Sequence, residues 1–158
     1  MKFSTDILAA ALSGMKAELD GGRMYYFAGP VPASAEDALD MASRHTRLVE
    51  FTVDNAGGGL TFGQPNGGFL PKAEGEAWVG TVAFVGARAG ETTLTPTFYR
   101  FCAAGDDGSG AATTPRVQGT IGGPSSSADI KLSDGTTVTA NGANTRSLSI
   151  WGINLTSV

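Results

Sequence analysis

The residues that could do chemistry in this chain are few, and their types restrict the chemistry. His45 is the only histidine and Cys102 the only cysteine in the chain of 158 residues. A serine or cysteine nucleophile needs a base beside it, and a structural zinc site needs several Cys and His ligands. No Gly-x-Ser-x-Gly sequence accompanies His45. We therefore expect His45 to be a solvated or capping residue, Cys102 to be a small buried hydrophobe, and the protein not to be an enzyme.

Acidic and glycine-rich runs offer three further kinds of site, and none matches its pattern fully. Four acidic residues could supply a carboxylate pair for sugar hydrolysis: Asp54, Glu74, Glu76 and Asp129. Their spacing in the sequence does not favour any one pair. The run Asp106-Asp107-Gly108-Ser109-Gly110 lacks the alternate-position acids and the terminal Glu of an EF-hand. Gly57-Gly58-Gly59 and the run 119–123 neither open a helix nor precede Lys-Ser/Thr, as a phosphate loop does. We expect turns or bulges at the glycine-rich runs, an exposed turn at Asp106–Gly110, and neither a cofactor nor a metal.

The two tryptophans are the remaining candidates for a binding site. Sugars stack on aromatic faces, so Trp78 or Trp151 could line a carbohydrate site if exposed in a groove. Both lie in segments that alternate like strands, where aromatic residues more often form the core.

Composition and charge exclude other classes of function. Charged residues make up 16% of the chain, against about 25% in an average soluble domain. The net charge is −4, and the 11 basic residues form no run, so we expect no nucleic-acid partner. No segment approaches the ~18 apolar residues of a membrane span, so we expect no membrane partner. The apolar stretch from Ile7 to Leu12 is too short for a signal peptide. The 23 glycines follow no fixed period and indicate many tight turns.

The first 22 residues predict a helix and its cap. Ser4 or Thr5 can cap the N-terminus, Asp6 suits the first turn, and Gly21-Gly22 ends the helix. An apolar stripe at helical spacing contains Ile7, Leu8, Ala11, Leu12, Met15 and Leu19. The stripe must either lie on the protein's own sheet or pack on a partner. Five of these residues are therefore candidates for a contact between subunits or with a larger assembly: Ile7, Leu8, Ala11, Leu12 and Met15.

Residues 23–158 predict a β-rich body, so that residues 1–158 form one domain. Strands are expected at 24–28, 46–53, 60–62, 77–85, 93–102, 116–121, 128–132, 136–140 and 147–155, with one helical turn at about 34–41. Asp134-Gly135 is typical of a hairpin turn. Short strands at this spacing indicate a mainly β fold, a jelly roll, β-sandwich or barrel with an N-terminal α-helix.

The order of these segments also resembles a known group of proteins. After the helix come Leu19-Asp20-Gly21-Gly22, Phe27-Ala28-Gly29-Pro30-Val31-Pro32, the run 76–84, Phe98-Tyr99-Arg100-Phe101-Cys102, the run 115–122 and Ala128-Asp129-Ile130-Lys131-Leu132. Together they resemble the small virion structural proteins of tailed bacteriophages, and most closely the cement, or decoration, proteins of capsid shells. The resemblance is one of overall pattern and not of a diagnostic motif.

The resemblance implies a function without catalytic residues. Cement proteins typically have β-barrel or jelly-roll folds, bind the outer capsid surface as dimers or trimers, and stabilise the shell against internal DNA pressure. It implies that this chain is made in the host cytoplasm, resides on the virion, and has the major capsid protein and itself (as homodimer or homotrimer) as partners. The alternative is a tail or receptor-binding module, with carbohydrate as a candidate ligand.

Overall fold

The computed structural model describes residues 3–133, 136–140, 146–148 and 151–155. These residues form a mainly β fold with one N-terminal helix, which confirms the coarse fold class expected from the sequence. Across the described ranges, no helix is long and apolar enough to cross a membrane.

The helix α1 spans Thr5–Leu19. The Ser4 side chain accepts a hydrogen bond from the Ile7 N–H, so Ser4 is the N-cap. Leu8, Leu12 and Leu19 are the buried residues of α1 and fall on one face, as helical spacing requires. Beyond the helix, the Asp20 carboxylate accepts a hydrogen bond of 2.8 Å from the Phe62 N–H and so ties this end to the following segment.

Eleven strands follow in the described part of the chain. They are β1 (Arg23–Ala28), β2 (Thr46–Val53), β3 (Phe69–Pro71), β4 (Trp78–Val85), β5 (Thr93–Leu94), β6 (Phe98–Cys102), β7 (Arg116–Gly122), β8 (Ile130–Lys131), β9 (Val138–Thr139), β10 (Arg146–Leu148) and β11 (Gly152–Asn154).

Seven of these strands form one sheet in the order β10-β4-β2-β1-β6-β7-β8. All neighbours are antiparallel except β7 and β8, which run parallel through Ile121↔Ile130 and Gly122↔Lys131. The sheet curls into a half-barrel. Two small sheets, β11-β3 and β5-β9, complete the architecture.

The inner face of the half-barrel carries the main hydrophobic core. Here α1 packs with the sheet around a set of aromatic rings, which are Phe62, Trp78, Tyr99, Phe101 and Trp151. Phe101 and Trp151 are stacked, with ring centroids 5.7 Å apart and an interplanar angle of 6°. Such ring pairs contribute about 0.5–1.5 kcal/mol beyond the area that they bury.

The outer face is covered by two long loops instead of a second large sheet. A smaller cluster that includes Tyr25, Phe27 and Phe98 lies there. The 29–45 loop, between β1 and β2, and the 103–115 loop, between β6 and β7, bond to each other through Leu39 N–H to Ser109 O (2.7 Å). All six residues of β1 except Arg23 are buried, because both faces of this central strand are covered.

The structure differs from the sequence predictions in several elements. No helical turn forms at 34–41, because the Asp37 carboxylate accepts the Ser34 N–H and closes a turn at 34–37, after which residues 38–40 have no regular structure. The run 93–102 splits into β5 and β6 around Pro96, which has no N–H for a ladder. The run 147–155 likewise splits into β10 and β11, and residues 60–62 make only isolated bridges. The short β3 was not predicted, and Asp134-Gly135 lies outside the described residues.

Candidate functional site

His45 is buried directly before β2, so of the two expectations, a solvated or a capping residue, the solvated one is wrong. Its Nε2–H donates a hydrogen bond of 2.9 Å to the Pro30 carbonyl, and its ring meets the ring of Phe98 edge to face. Its Nδ1 has no hydrogen-bond partner among the described residues. This arrangement joins the 29–45 loop to the outer face, and no nucleophilic side chain in the described part of the chain is hydrogen-bonded to the imidazole.

Cys102 is fully buried on the outer face, beside Phe27 and under Gly108. This confirms its interpretation as a small buried hydrophobe. Burial, reinforced by the charge of Asp106, raises the pKa of the thiol to about 12. The thiol therefore stays protonated at neutral pH, which is the opposite of what a reactive cysteine needs.

The four candidate carboxylates each have separate surroundings. Asp54 and Glu74 are exposed, while Glu76 accepts hydrogen bonds from Thr61 and, at 2.9 Å, from the Trp78 indole. Burial opposes the ionisation of Glu76, but these bonds outweigh it and hold the pKa of that carboxyl below its ordinary value. Asp129 accepts from the Thr120 N–H and hydroxyl, at 2.7 and 2.8 Å.

The Asp106–Gly110 run is a bonded turn in which both carboxylates already have protein partners. Asp106 forms an ion pair with Arg116, and Asp107 accepts hydrogen bonds from the N–H and hydroxyl of Ser109 at 2.9 and 2.7 Å. Over the part of the chain that the structure describes, no group of three or more His, Cys, Asp or Glu side chains could hold a metal ion.

The predicted contact residues of α1 are divided by burial. Leu12 is buried in the protein's own main core, Met15 packs partly against the same core, and Leu8 is buried beside Gly68. Ile7 is 56% exposed and Ala11 is exposed, so these two remain available to a partner in this conformation. Phe3, just before the helix, is exposed as well.

Both tryptophans belong to the core. Trp78 is fully buried and Trp151 is 9% exposed. Neither therefore presents an open face on which a sugar ring could stack. The small exposed part of Trp151 borders a groove on the surface.

The β7–β11 groove, as we call it, has a volume of about 440 Å³. Its lining consists of Phe69, Tyr99, Val117, Asp129, Trp151, Gly152, Ile153 and Asn154. One wall comes from β6 and β7, the other from β3 and β11, and Trp151 lies between them. The Tyr99 ring meets the Trp151 ring edge to face with centroids 5.8 Å apart.

Two glycines shape the walls of this groove by letting aromatic rings lie against the backbone. Gly119 is paired with Tyr99 across β6 and β7, and a Cβ on Gly119 would lie 2.6 Å from the Tyr99 ring. A Cβ on Gly152 would lie 2.5 Å from the Phe69 ring. Each aromatic ring occupies the space that a side chain at the glycine position would fill, as occurs when aromatic residues cover glycines in strands.

The strand edges beside the groove carry main-chain groups that point away from their ladders. Ile121 N–H bonds to Thr97 O and Ala103 N–H to Pro115 O, so by alternation the N–H and C=O of Gln118 point away from β6. Lys72 N–H bonds to Trp151 O and Leu155 N–H to Gly68 O, so the same groups of Gly152 and Asn154 point away from β3. None of these three residues pairs with a further strand within the described residues.

A second cleft, of about 550 Å³, lies over Tyr25 on the outer face. The guanidinium of Arg47 lies 5.0 Å from the centre of the Tyr25 ring, and Arg23 forms an ion pair with Glu50. Asp106 and Asp107 also border this cleft. Since acids and bases alternate in the lining, this cleft offers no concentration of charge for an ion.

Sequence reasoning missed Arg100, which is fully buried and organises the outer face. Its guanidinium donates to the carbonyls of Ser34 (3.2 Å), Asp37 (2.9 Å) and Gly108 (2.7 Å), and its Nε donates to Gln118 (2.9 Å). Burial, together with the nearby Arg116 charge, lowers the pKa of Arg100. The sequence did contain one indication, an arginine inside the apolar run 98–102. A charge buried there is costly unless it is hydrogen-bonded, so the run predicts polar partners for Arg100.

Comparison with known proteins adds no identification. No family model matches the chain, and neither a curated protein nor a solved structure matches it significantly.

Proposed function

We propose that this chain is a structural virion protein that binds the outer surface of a phage capsid and stabilises the shell through non-covalent contacts. Its partners in this proposal are the major capsid protein and further copies of itself. The proposal rests on the sequence pattern described above and is supported by one structural observation, the fastening of both long loops by Arg100.

This observation matters because a clamp on a shell must resist deformation. The 29–45 and 103–115 loops would be mobile if they met only solvent, since loops without buried contacts open easily. Arg100 bonds to carbonyls of both loops, and Arg116 adds bonds to Ala35 O (3.1 Å) and Gly110 O (2.9 Å). The outer face is therefore a fixed surface of loop backbone, well suited to a contact that works by shape.

The exposed apolar residues of α1 supply a surface for self-association in this proposal. Phe3 and Ile7 are large hydrophobic residues that are exposed and close together in sequence. They are separate from the buried leucines with which α1 packs on the core. Burying such side chains between copies contributes about 25 cal/mol per Å² of apolar area. Repeated contacts in a symmetric oligomer would then add through avidity.

Within the family of β folds, we propose that the body is an open barrel and not a two-sheet jelly roll. One curled sheet of seven strands supports this choice, because a sandwich divides its strands between two sheets of similar size.

The tail or receptor-binding alternative has less support in its carbohydrate form. That form needs a tryptophan exposed in a groove, whereas Trp78 and Trp151 are buried. Acrylamide quenching of tryptophan fluorescence tests this directly, and we expect strong protection of both residues.

Co-sedimentation with capsids tests the proposal. Purified protein should pellet with assembled shells that lack their decoration, and should not bind free capsid subunits. Analytical ultracentrifugation of the protein alone should show a dimer or trimer. A protein that stays monomeric and fails to pellet with shells would overturn the proposal.

A further inference from the structure

We propose that the β7–β11 groove binds an extended segment of a partner polypeptide as an added β-strand, with alternate apolar side chains towards Trp151 and Tyr99 and a basic side chain near Asp129. This binding mode goes beyond the proposed function and does not depend on the partner's being a capsid protein.

The main-chain groups at the groove indicate a peptide as the occupant. Gly152 and Asn154 of the lining, and Gln118 next to the lining residue Val117, point both N–H and C=O away from their own ladders, as described above. Residues two apart on a strand, such as Gly152 and Asn154, point their N–H and C=O to the same side. An extended peptide can form hydrogen bonds with such a row of donors and acceptors. Edges of this kind template the addition of a strand unless they are blocked.

The lining sets the side-chain preference of the occupant. Val117 and Tyr99 on one wall, Ile153 on the other and Trp151 between them give an apolar surface between the two edges. Since successive side chains of a strand point to opposite faces, every second residue of the bound segment would meet this surface. Burial, with the added charge of Asp129, raises the pKa of Tyr99 to about 12, so its hydroxyl remains a neutral hydrogen-bonding group.

Asp129 fixes both the extent of pairing and the charge preference. Its carboxylate accepts the Thr120 N–H at 2.7 Å, which is the place where an added strand would bond next to β7. Pairing along β7 is therefore restricted to the part before Thr120. The carboxylate is exposed, and hydrogen bonds from Thr120 hold its pKa below the ordinary value, so it presents a negative charge at this end. A lysine or arginine of the segment complements that charge.

The same features favour a peptide over a carbohydrate. Trp151 shows only a narrow part of its surface, and the Phe69 ring, 37% exposed, lies against Gly152 instead of standing free. A sugar would need an open ring face, whereas a strand uses the backbone groups that the groove presents.

Peptide selection followed by amide exchange tests the proposal. A random library of seven-residue peptides is panned on the full chain, and enriched peptides are synthesised together with scrambled versions. We expect enriched peptides with apolar residues at every second position and one basic residue. On binding, amide hydrogen exchange should slow at Gln118 or at Gly152 and Asn154.

A proline variant tests the added hydrogen bonds. Asn154→Pro removes an N–H that points away from β3, so the ladder with β3 is kept and proline is tolerated at such an edge. Asn154→Ser is the matched control, because it changes the side chain and keeps the N–H. We expect Asn154→Pro to weaken the binding of an enriched peptide by about tenfold or more and Asn154→Ser by less than about twofold.

A charge variant gives a second test that does not depend on the folding of the proline variant. Asp129→Asn retains an acceptor for Thr120 and removes the charge, and we expect it to weaken basic peptides several times more than neutral ones. The proposal is overturned if panning enriches no peptide, if enriched peptides leave these amides unprotected, or if both variants bind as the unmodified protein does. It is also overturned if a panel of neutral oligosaccharides, and no peptide, protects the groove.

Discussion

Arg116 holds Asp106 in a two-pronged ion pair, with Nε 2.5 Å from Oδ2 and Nη2 2.6 Å from Oδ1. Both side chains are almost completely shielded from solvent. The carboxylate also accepts the Gly108 N–H at 2.9 Å and the Thr114 hydroxyl at 3.0 Å. This pair closes the 103–115 loop on itself, next to the Gly108 carbonyl that Arg100 binds. The loop and the outer face therefore depend on the ionised carboxylate of Asp106.

Stability should therefore fall in acid. Burial opposes the ionisation of Asp106, but the bonds from Arg116, Gly108 and Thr114 outweigh it, and the pKa of this carboxyl lies below its ordinary value of about 3.9. Between the two values the unfolded chain binds more protons than the folded one, so stability is present above about pH 4 and is lost as the pH falls towards the folded-state pKa. Urea unfolding between pH 7 and pH 3 measures this loss.

Asp106→Asn separates this effect from that of the other acids. The variant leaves the shielded Arg116 charge without its partner, which costs about 3 kcal/mol at pH 7. Its unfolding free energy should fall less steeply below pH 4 than that of the unmodified protein. Asp107 and Asp129 also have lowered pKa values, so some acid dependence remains. Identical pH slopes for the two proteins would show that the ion pair does not set acid stability.

Replacement of Arg100 tests the fastening of the loops. Arg100→Met keeps much of the apolar length but leaves the carbonyls of Ser34, Asp37 and Gly108 without their donor. We expect a loss of about 3–5 kcal/mol in unfolding free energy, with faster amide exchange in both loops. Arg44→Met is the control, because Arg44 is exposed, and it should change stability by less than about 0.5 kcal/mol. Equal stability of the two variants would contradict the assigned role.

Local signals explain what the sequence could predict. The helix followed from the Ser4 cap and the spacing of Leu8 and Leu12, which lie within a few residues of one another. The strand 46–53 was confirmed with the same bounds because its alternation is local as well. Burial does not alternate strictly along it, since the pairing shifts between Arg47 and Val49 and Leu48 lies in the core.

The candidate site could not be predicted from patterns of neighbouring residues, because segments far apart in the chain form it. Arg100 bonds to carbonyls 63 and 66 positions earlier in the chain, and nothing near Arg100 in sequence marks them. The groove depends on the register that sets Gly119 opposite Tyr99 and on β11 meeting the three-residue β3. A strand as short as Phe69–Pro71, ending in proline, shows no period that could predict it.

Two glycine variants test the packing of the groove wall. Gly119→Ala would place a Cβ 2.6 Å from the Tyr99 ring, so the ring must move, and we expect a loss of about 1–3 kcal/mol. Gly14→Ala is the matched change, because Gly14 lies inside α1 and the new Cβ meets nothing within 4 Å beyond the adjacent residues and backbone of the helix itself. It should stabilise the protein by about 1 kcal/mol through helix propensity. Thermal unfolding measures both, and a Gly119→Ala variant as stable as Gly14→Ala would refute the close packing of Tyr99.

The thiol of Cys102 should be unreactive in the folded protein. Burial and the Asp106 charge raise its pKa to about 12, and the side chain has no exposed surface. Reaction with Ellman's reagent at pH 8 should be at least about a hundredfold slower than in guanidinium chloride, because it requires opening of the outer face. In a Ser13→Cys variant the added thiol on exposed helix surface should react at once, while Cys102 stays slow. Two fast thiols in that variant would mean that the outer face opens readily.

Ile7 tests whether the exposed part of α1 carries the contact between subunits. Ile7→Lys places a charge at an exposed apolar position without disturbing Leu8 or Leu12, so the unfolding free energy should change by less than about 0.5 kcal/mol. If the proposed oligomer uses this surface, burial of the lysine charge is unfavourable, and the dissociation constant should rise by about tenfold or more. Ser13→Lys is the control, since Ser13 is exposed about 120° away around the helix. Sedimentation equilibrium compares the three proteins, and an oligomer equally insensitive to both variants would place the contact elsewhere than on α1.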